Sequence, residues 1–598
     1  MKNIKMIVTD LDGTLLRRDK TISENTKEIL KAVRDKGVLF GIATARPIRS
    51  VKNFLPFLDY DFAIFHNGAV VMDGEELLDG FGIENPLDII NCIKESIPGC
   101  HICVEAEDVM YSSFNSEEIW PGFEYIKTED FHELTGKIGD KIIVEAGTKE
   151  ELDVIRGLLP DNLYAELSEN QVVMIMNNNA TKINGVKIIA GRYNIALDSI
   201  VAFGDDYNDI DMLSHCGIGV AVDNALDDVK KAADQICGSN EDDGEACWIK
   251  LNALYLEGIK GYDEEAYKAT KRRFDGVAKP LNGLGNLEEL IARIGAIQGT
   301  ADVDISDKRV LVCCGDNGVT KSGVSQSDSS VTLNIARSLV AGTASVSIMA
   351  RSAGAKVDAI DMGMNECVPG TINRRIVDGC DNICEGPAMS RGAVVKGLLY
   401  GIEEVLRCKS EGVKIIATGE AGIGNTTTSA AIAAVLLNKD VREVVGRGAG
   451  LSDEGLERKI NVIIEAIKKN NPNPDDVIDV LSKVGGADIV GLTGIFLGGA
   501  YYGVPIIMDG VISSVAALCA VRLCQAVSDY IIPSHMSSEM AMKYICDELN
   551  IEPMLYGGFH LGEGTGATAL MPLLDMALSV YYDAARFDDI GVEQYTKQ

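Results

Sequence analysis

Positive charge is scarce in this chain. Across 598 residues, 56 Lys and Arg stand against 89 Asp and Glu, a net charge of −33. Such a surface repels nucleic acid and acidic membranes. Anionic small substrates remain compatible with it only where a metal, a lysine or a helix end inverts the local sign. Long apolar runs are also lacking: the best, residues 511–521, is closed by Arg522, well short of the roughly 20 residues a membrane span requires. The amino terminus enters a strand and an acidic motif within its first ten residues, so no signal peptide is expected and a cytoplasmic location is. Cysteine is present, but not in a disulfide pattern. Fifteen thiols, an odd number spread through apolar segments, fit reduced, buried side chains. The one CxxC, Cys100-His101-Ile102-Cys103, has no second ligand pair for zinc and is a weak signal.

Apolar residues make up 46% of the chain, enough for well-packed cores. The length is too great for one core, and a prior of about one domain per 150 residues allows two to four, of which two large ones are expected. The stretch around which the second is organised is residues 413–431. Ile415 and Ile416 read as the end of a buried strand, Gly419, Gly422 and Gly424 as a sharp turn, and Asn425, Thr426 and Thr427 as the cap of a helix running through Ala430 and Ala434. A helix start of this kind directs unpaired N–H groups at an anion. An ordinary strand-to-helix turn needs one glycine and one cap. Three glycines, three consecutive threonines and Glu420 exceed that need and point to a phosphate cradle.

In the amino-terminal half, an apolar strand over residues 5–9 delivers Asp10 and Asp12, two carboxylates facing one crevice. A calcium loop is excluded because its twelfth position would be Thr21 in place of a bidentate Glu. Strands over 38–43, 62–65 and 200–203 end in Thr44, His66 and Asp205 respectively. Residues 79–170 leave this simple alternation and read as an inserted lid or cap. Residues 172–176 are then expected to return to the main sheet.

The ordered motifs DLDGTLL (10–16), IATARP (42–47), FHNGA (65–69), Lys182, FGDDYNDIDML (203–213) and GVAVDNA (219–225) resemble the haloacid dehalogenase superfamily, in its sugar-phosphatase branch with an α/β cap. The resemblance covers about residues 1–255. It implies a Rossmann-like core, Asp10 as the nucleophile that forms an aspartyl-phosphate, and Asp12 as the acid and then the base. Thr44 and Lys182 would bind the phosphoryl oxygens. A Mg2+ site of Asp10, Asp12 through its carbonyl, and Asp205 would be supported by Asp209. The chemistry is sound without the name, since a carboxylate attacks a phosphate dianion only where a cation offsets their repulsion. The sequence departs from the family pattern in two places. Gly185 lies three positions beyond Lys182, which makes Lys187 an alternative, and Ala45 replaces a usual glycine.

The phosphatase is assigned to residues 1–258, a linker or connecting helix to 259–279, and the second domain to 280–598. That domain carries GDNGV (315–319), Ser325, GEAGIGNTT (419–427), GRGAG (446–450), Lys459, Asp509 in MDG, His535 in PSH and LGEGTGA (561–567). This set resembles the nicotinate-nucleotide:dimethylbenzimidazole phosphoribosyltransferase family over about residues 281–582. The resemblance implies an α/β parallel-sheet domain with additional helices. It makes Glu563 the general base, with Ser325 and Glu420 lining the substrate pocket. Gly422, Gly424, Asn425, Thr426, Gly446, Gly448 and Lys459 would receive the ribotide phosphate. Asn317 departs from the histidine usual in the family. His535 could serve as a base, but a single histidine beside an apolar segment is more often a hydrogen-bonded core residue.

The expected function is bifunctional. The carboxyl half would join nicotinate mononucleotide to 5,6-dimethylbenzimidazole or a related base, without a cofactor. The amino half, with Mg2+, would dephosphorylate the product. The alternatives are a phosphatase for unrelated sugar or flavin phosphates, or an idle binding or dimer-forming module, against which the intact Asp10, Asp12 and Asp205 argue. Small molecules are the expected partners, with no nucleic acid and no membrane span, and a homodimer through the transferase domain is expected.

Overall fold

The computed structural model describes residues 3–595 except 117–121, 123, 146–147, 169–171 and 449. The chain divides into two compact units, residues 1–249 and 250–598.

The first unit is built on an eight-stranded sheet ordered Gln235–Ile236, Ile218–Ala221, Ile200–Gly204, Met6–Thr9, Leu39–Ala43, Phe62–Phe65, Val70–Asp73 and Glu76–Asp79. The first six strands are parallel and the last two run antiparallel as a meander. Central strands such as Met6–Thr9 and Ile200–Gly204 are buried at every position, as expected of parallel strands covered on both faces. A second, six-stranded sheet forms the cap, with Ile102–Ala106 and Lys141–Glu145 at its centre. One of its faces carries Ile102, Val104, Ile142 and Val144 into an apolar core with Ile90, Ile93, Leu152 and Ile155 from two helices. Val172–Asn177 does not return to the main sheet. It lies between Leu163–Ser168 and Lys141–Glu145 in the cap, antiparallel to both. Its apolar residues complete a strand pattern, but pattern alone does not say which sheet a strand joins.

The second unit holds a six-stranded parallel sheet ordered Ile372–Asn373, Ala355–Gly363, Lys308–Gly315, Ile415–Ala421, Ile506–Met508 and Ile531–Pro533. The strongly apolar helices Ala487–Tyr502 and Val511–Leu523 are buried almost throughout. The stretch expected as a linker or connecting helix contains the helix Glu264–Asp275, whose Asp263 side chain caps the N–H groups of Glu265 and Ala266, and whose Thr270 and Phe274 are buried. It is therefore packed structure belonging to the second unit. The most membrane-like stretch by composition, Ser330–Ser352, is two short helices, Ser330–Val340 and Ser345–Ser352, broken by a turn at Gly342 with φ +71°. Neither is long enough to cross a bilayer.

All fifteen cysteines are free. Burial pushes the Cys103 thiol up, the opposite of what a reactive thiol needs.

Candidate active sites

In the first unit, the sheet order sets the strands ending at Gly204, Thr9 and Ala43 side by side and parallel. Their carboxyl ends therefore bring Asp205, Asp10 and Thr44 to one edge, where ligands of open α/β sheets bind. Lys182, the first residue of the helix Lys182–Arg192, reaches them from the side. Its Nζ donates to Asp10 Oδ1 and Asp209 Oδ1, each at 2.6 Å, and the lysine is 1% exposed. Burial opposes its charge, but Asp10 and Asp209 outweigh that and raise its pKa. Lys187, the alternative, lies on the exposed side and bonds Asn184. Gly185 is explained by packing: a Cβ there would fall 2.6 Å from Ile64.

Ligand atoms of Asp10, Asp205 and Asp209 lie within 4.8 Å of one another. Burial pushes Asp10 up to about 7, with Asp209 and Asp205 adding to it against the pull of Lys182. Burial likewise raises Asp205 to about 6. Three carboxylates against one ammonium leave an excess of negative charge, and this donor set suits a hard divalent cation. Asp209 holds the arrangement from behind: its Oδ2 accepts the N–H groups of Asp205 and Asp206. Thr14 Oγ1 donates to Asp205 Oδ1 at 2.7 Å. Gly13, at φ +84°, leaves room for that carboxylate, since a Cβ would land 2.3 Å from it.

The Asp12 side chain is not part of the cluster. Arg46 grips it with two hydrogen bonds of 2.6 Å and Lys20 with a third. Burial acts to raise its pKa, but these cations hold it below the usual carboxylate range. Sequence reasoning missed Glu245, which is buried, accepts from Thr9 Oγ1 at 2.8 Å and is pushed up to about 8 by burial. It lies 236 positions from Thr9, and no local pattern marks it.

In the second unit, a cavity of about 230 Å3 opens at the carboxyl end of Ile415–Ala421. Ser325, Glu420, Gly422, Gly424, Asn425, Thr426, Gly448 and Glu563 all line it. Lys459 and Gly446 stand behind that wall, Lys459 Nζ donating to Thr426 Oγ1 at 2.9 Å and to the Gly446 carbonyl at 3.1 Å. Burial lowers Lys459 to about 8. Ala449 lies outside the described residues.

The helix Asn425–Leu436 begins here, but its N-cap is Gly424, at φ +97° and without a side-chain cap. The Asn425 amide is engaged elsewhere, donating to Glu420 Oε2 and, at 2.8 Å, to Asp488 Oδ2. Burial, then Asp488, pushes Glu420 up to about 8 against the pull of Asn425. Asp488 itself is raised to about 7 by burial. No side chain caps this helix start: the N–H groups of Asn425 and Thr427 donate to the carbonyls of Gly422 and Gly424, at 3.1 and 2.9 Å, and Gly424, Asn425 and Thr426 line the cavity. The neighbouring loop is different: the Gly448 N–H donates to Glu539 Oε1 at 3.0 Å, so an internal carboxylate takes that donor. Asn317 is 3% exposed, and its Oδ1 accepts weakly from Thr428 Oγ1. His535 is buried, with Nδ1 3.0 Å from Ser534 Oγ, and it lines the same cavity.

Glu563 sits between Gly562 and Gly564, all three at positive φ. Its carboxylate makes one long contact, 3.5 Å from the Val346 N–H. Burial and then Asp509 raise its pKa against that hydrogen bond. Its backbone lies on the strand below, where a Cβ on Gly419 would meet the Glu563 carbonyl oxygen at 2.4 Å. Gly419→Ala is therefore expected to lift the loop at a cost of about 1–3 kcal/mol and to lower the kcat of the reaction carried out in this cavity by about 100-fold. Thermal melting and initial rates check this, and a wild-type rate would show that the loop position is unimportant.

Two family models match the chain. Phosphoribosyltransferase covers residues 259–592, and haloacid dehalogenase-like hydrolase covers residues 7–249. The nicotinate-nucleotide–dimethylbenzimidazole phosphoribosyltransferase of Clostridium acetobutylicum is 43% identical over 57% of this chain and 97% of its own length. That of Salmonella paratyphi C is 41% identical over 56% and 94%. A crystal structure of the enzyme of that name from Thermus thermophilus superposes with a TM-score of 0.52 at 33% identity, covering 56% of this chain and all of the other. The chain therefore belongs to the phosphoribosyltransferase family, with a haloacid dehalogenase-like hydrolase unit joined ahead of the transferase.

Proposed function

We propose that residues 250–598 transfer phosphoribosyl from nicotinate mononucleotide to 5,6-dimethylbenzimidazole or a related base, and that residues 1–249 then remove the phosphate from the α-ribazole 5'-phosphate formed. The observation that carries the first part is Glu563, a half-exposed, lightly bonded carboxylate on the rim of a cavity whose other wall is the glycine loop and the start of Asn425–Leu436. The helix start and Thr426 receive the phosphate, and the ring nitrogen of the base attacks the anomeric carbon. The bond to the pyridinium nitrogen breaks, its electron pair returning to nicotinate. The proton on the second ring nitrogen passes to Glu563, which the raised pKa favours. The pyridinium is already an activated leaving group, so this unit needs no metal to break the bond.

In the first unit, Asp10 attacks phosphorus and the P–O bond breaks towards the leaving alcohol. Asp12 supplies the proton, and for this it must first leave Arg46 and Lys20; as a carboxylate it then takes a proton from the water that attacks the acyl-phosphate, releasing phosphate and restoring Asp10. Lys182 orients Asp10, and Thr44 stands at the same edge to hold a phosphoryl oxygen. Asp10 and Asp205, with the Asp12 carbonyl, would hold Mg2+, which when bound offsets charge between nucleophile and phosphate.

A chelator separates the two reactions. With nicotinate mononucleotide, dimethylbenzimidazole and EDTA, the protein is expected to accumulate α-ribazole 5'-phosphate. Added Mg2+ should release α-ribazole, followed by mass. Equal inhibition of both steps by EDTA would contradict the assignment of the metal to one unit.

A further inference from the structure

We propose that Asp509 is a positioning residue for the transfer base: from the end of the neighbouring strand it ties down the backbone where the Glu563 loop enters its helix and keeps a negative charge beside it. This rests on Glu563 being the base.

Asp509 follows the strand Ile506–Met508 and is 2% exposed. Its own N–H lies 3.3 Å from both Thr418 Oγ1 and Ser513 Oγ. Its Oδ1 accepts the Ala567 N–H at 2.8 Å and its Oδ2 the Gly564 N–H at 3.3 Å. These belong to the start of the helix Thr565–Asp583, whose N-cap, Gly564, has no side chain to cap it. Asp509 therefore supplies from a distant strand the acceptor that the local sequence omits. The residue before that cap is Glu563, at φ +60° between two glycines also at positive φ. A run of three left-handed residues is easily displaced unless something holds its ends. Gly419 supports it from below, leaving room for the Glu563 carbonyl, and Asp509 anchors it on the helix side.

The division of labour is what a base requires. The Glu563 backbone is pinned, while its carboxylate has, among the described residues, only the long Val346 hydrogen bond and is free to take a proton. The ionisable groups that line its cavity are Asp509 from the strand end, Glu420 from the central strand, Arg447, Glu539, His535 and, on the loop of Glu563 itself, His560. His535 packs against the same helix start: a Cβ on Gly566 would fall 2.0 Å from its Nδ1, and that nitrogen is 3.9 Å from Asp509 Oδ1. Burial lowers the pKa of His535, so it leaves the negative charge of Asp509 uncancelled near neutral pH. That charge works in the same direction as burial in raising the pKa of Glu563.

The test is the pH profile of transfer kcat/KM for the wild type, Asp509→Asn and Glu563→Gln, with thermal melting of each variant as the folding control. The base must be ionised to accept a proton, so the rate falls on the acid side of its pKa. Removing the charge of Asp509 lowers that pKa, and the acid limb should move to lower pH. The amide also loses one of the two acceptors, so kcat should fall by about ten- to 100-fold. A purely structural cap would lower the rate without moving the limb, and that result overturns the proposal. A rise in KM with kcat unchanged would make Asp509 a substrate-binding group and also overturns it. If Glu563→Gln keeps the wild-type limb and rate, the base assignment falls and this proposal with it. If Glu563→Gln abolishes transfer while Asp509→Asn leaves the limb in place, the base stands and only the role of Asp509 is rejected.

Discussion

Glu563→Gln is expected to lower the transfer rate by about 100- to 10,000-fold while hydrolysis of a generic phosphomonoester by the same chain continues. The amide matches the carboxylate in shape and can keep the 3.5 Å contact with the Val346 N–H, so the fold of the loop should survive. What it cannot do is accept a proton as the ring nitrogen becomes cationic. The second acid of the cavity does not replace it. Glu420 is half-buried, is pushed up to about 8 and already accepts from Asn425. Near-normal transfer by the variant at neutral pH would remove Glu563 from the mechanism.

Asp10→Asn should abolish phosphate release and leave transfer intact, so that the reaction stops at α-ribazole 5'-phosphate. The amide is a poor nucleophile and cannot form the acyl-phosphate. It also strips one carboxylate from the group that Asp10, Asp205 and Asp209 form around Lys182. A melting measurement accompanies the assay, because breaking a buried ion pair costs about 3–5 kcal/mol when one charge is left alone. Lys182 retains Asp209 at 2.6 Å, so folding is expected to persist. The substrate assignment is decided by the specificity constant of the wild type for α-ribazole 5'-phosphate against common sugar phosphates and flavin mononucleotide. If the ribazole ester ranks among the poorest, the hydrolase serves another ester, while Asp10 keeps its role.

Much of both sites is legible before any coordinates, and for a physical reason. Parallel strands announce themselves as short apolar runs, and the residue that follows each one lies at the carboxyl edge of the sheet whatever the strand order. Asp10, Thr44 and Asp205 are found in this way, as is the Glu420 to Thr426 loop, where Gly424 adopts the positive φ that its turn requires.

Other features depend on which strands become neighbours, and that is a property of the folded chain. Local periodicity identifies 172–176 as a strand but does not choose the cap sheet over the core sheet, because both offer an apolar face. Residue type makes Asn425 a cap, whereas Glu420 and Asp488 compete for the same amide. Lys182 and Lys187 lie on one helix and look equivalent as residues. Only burial against Asp10 and Asp209 separates them. Asp509 occurs in a recognisable motif, but its hydrogen bonds to residues 55 and 58 positions further on exist only because the last helix begins beside the strand that carries it. Residue order alone establishes which chemical groups stand at strand ends. Which of them meet is settled by strand order and helix placement, because the convergence of side chains far apart in the chain leaves no local periodic trace.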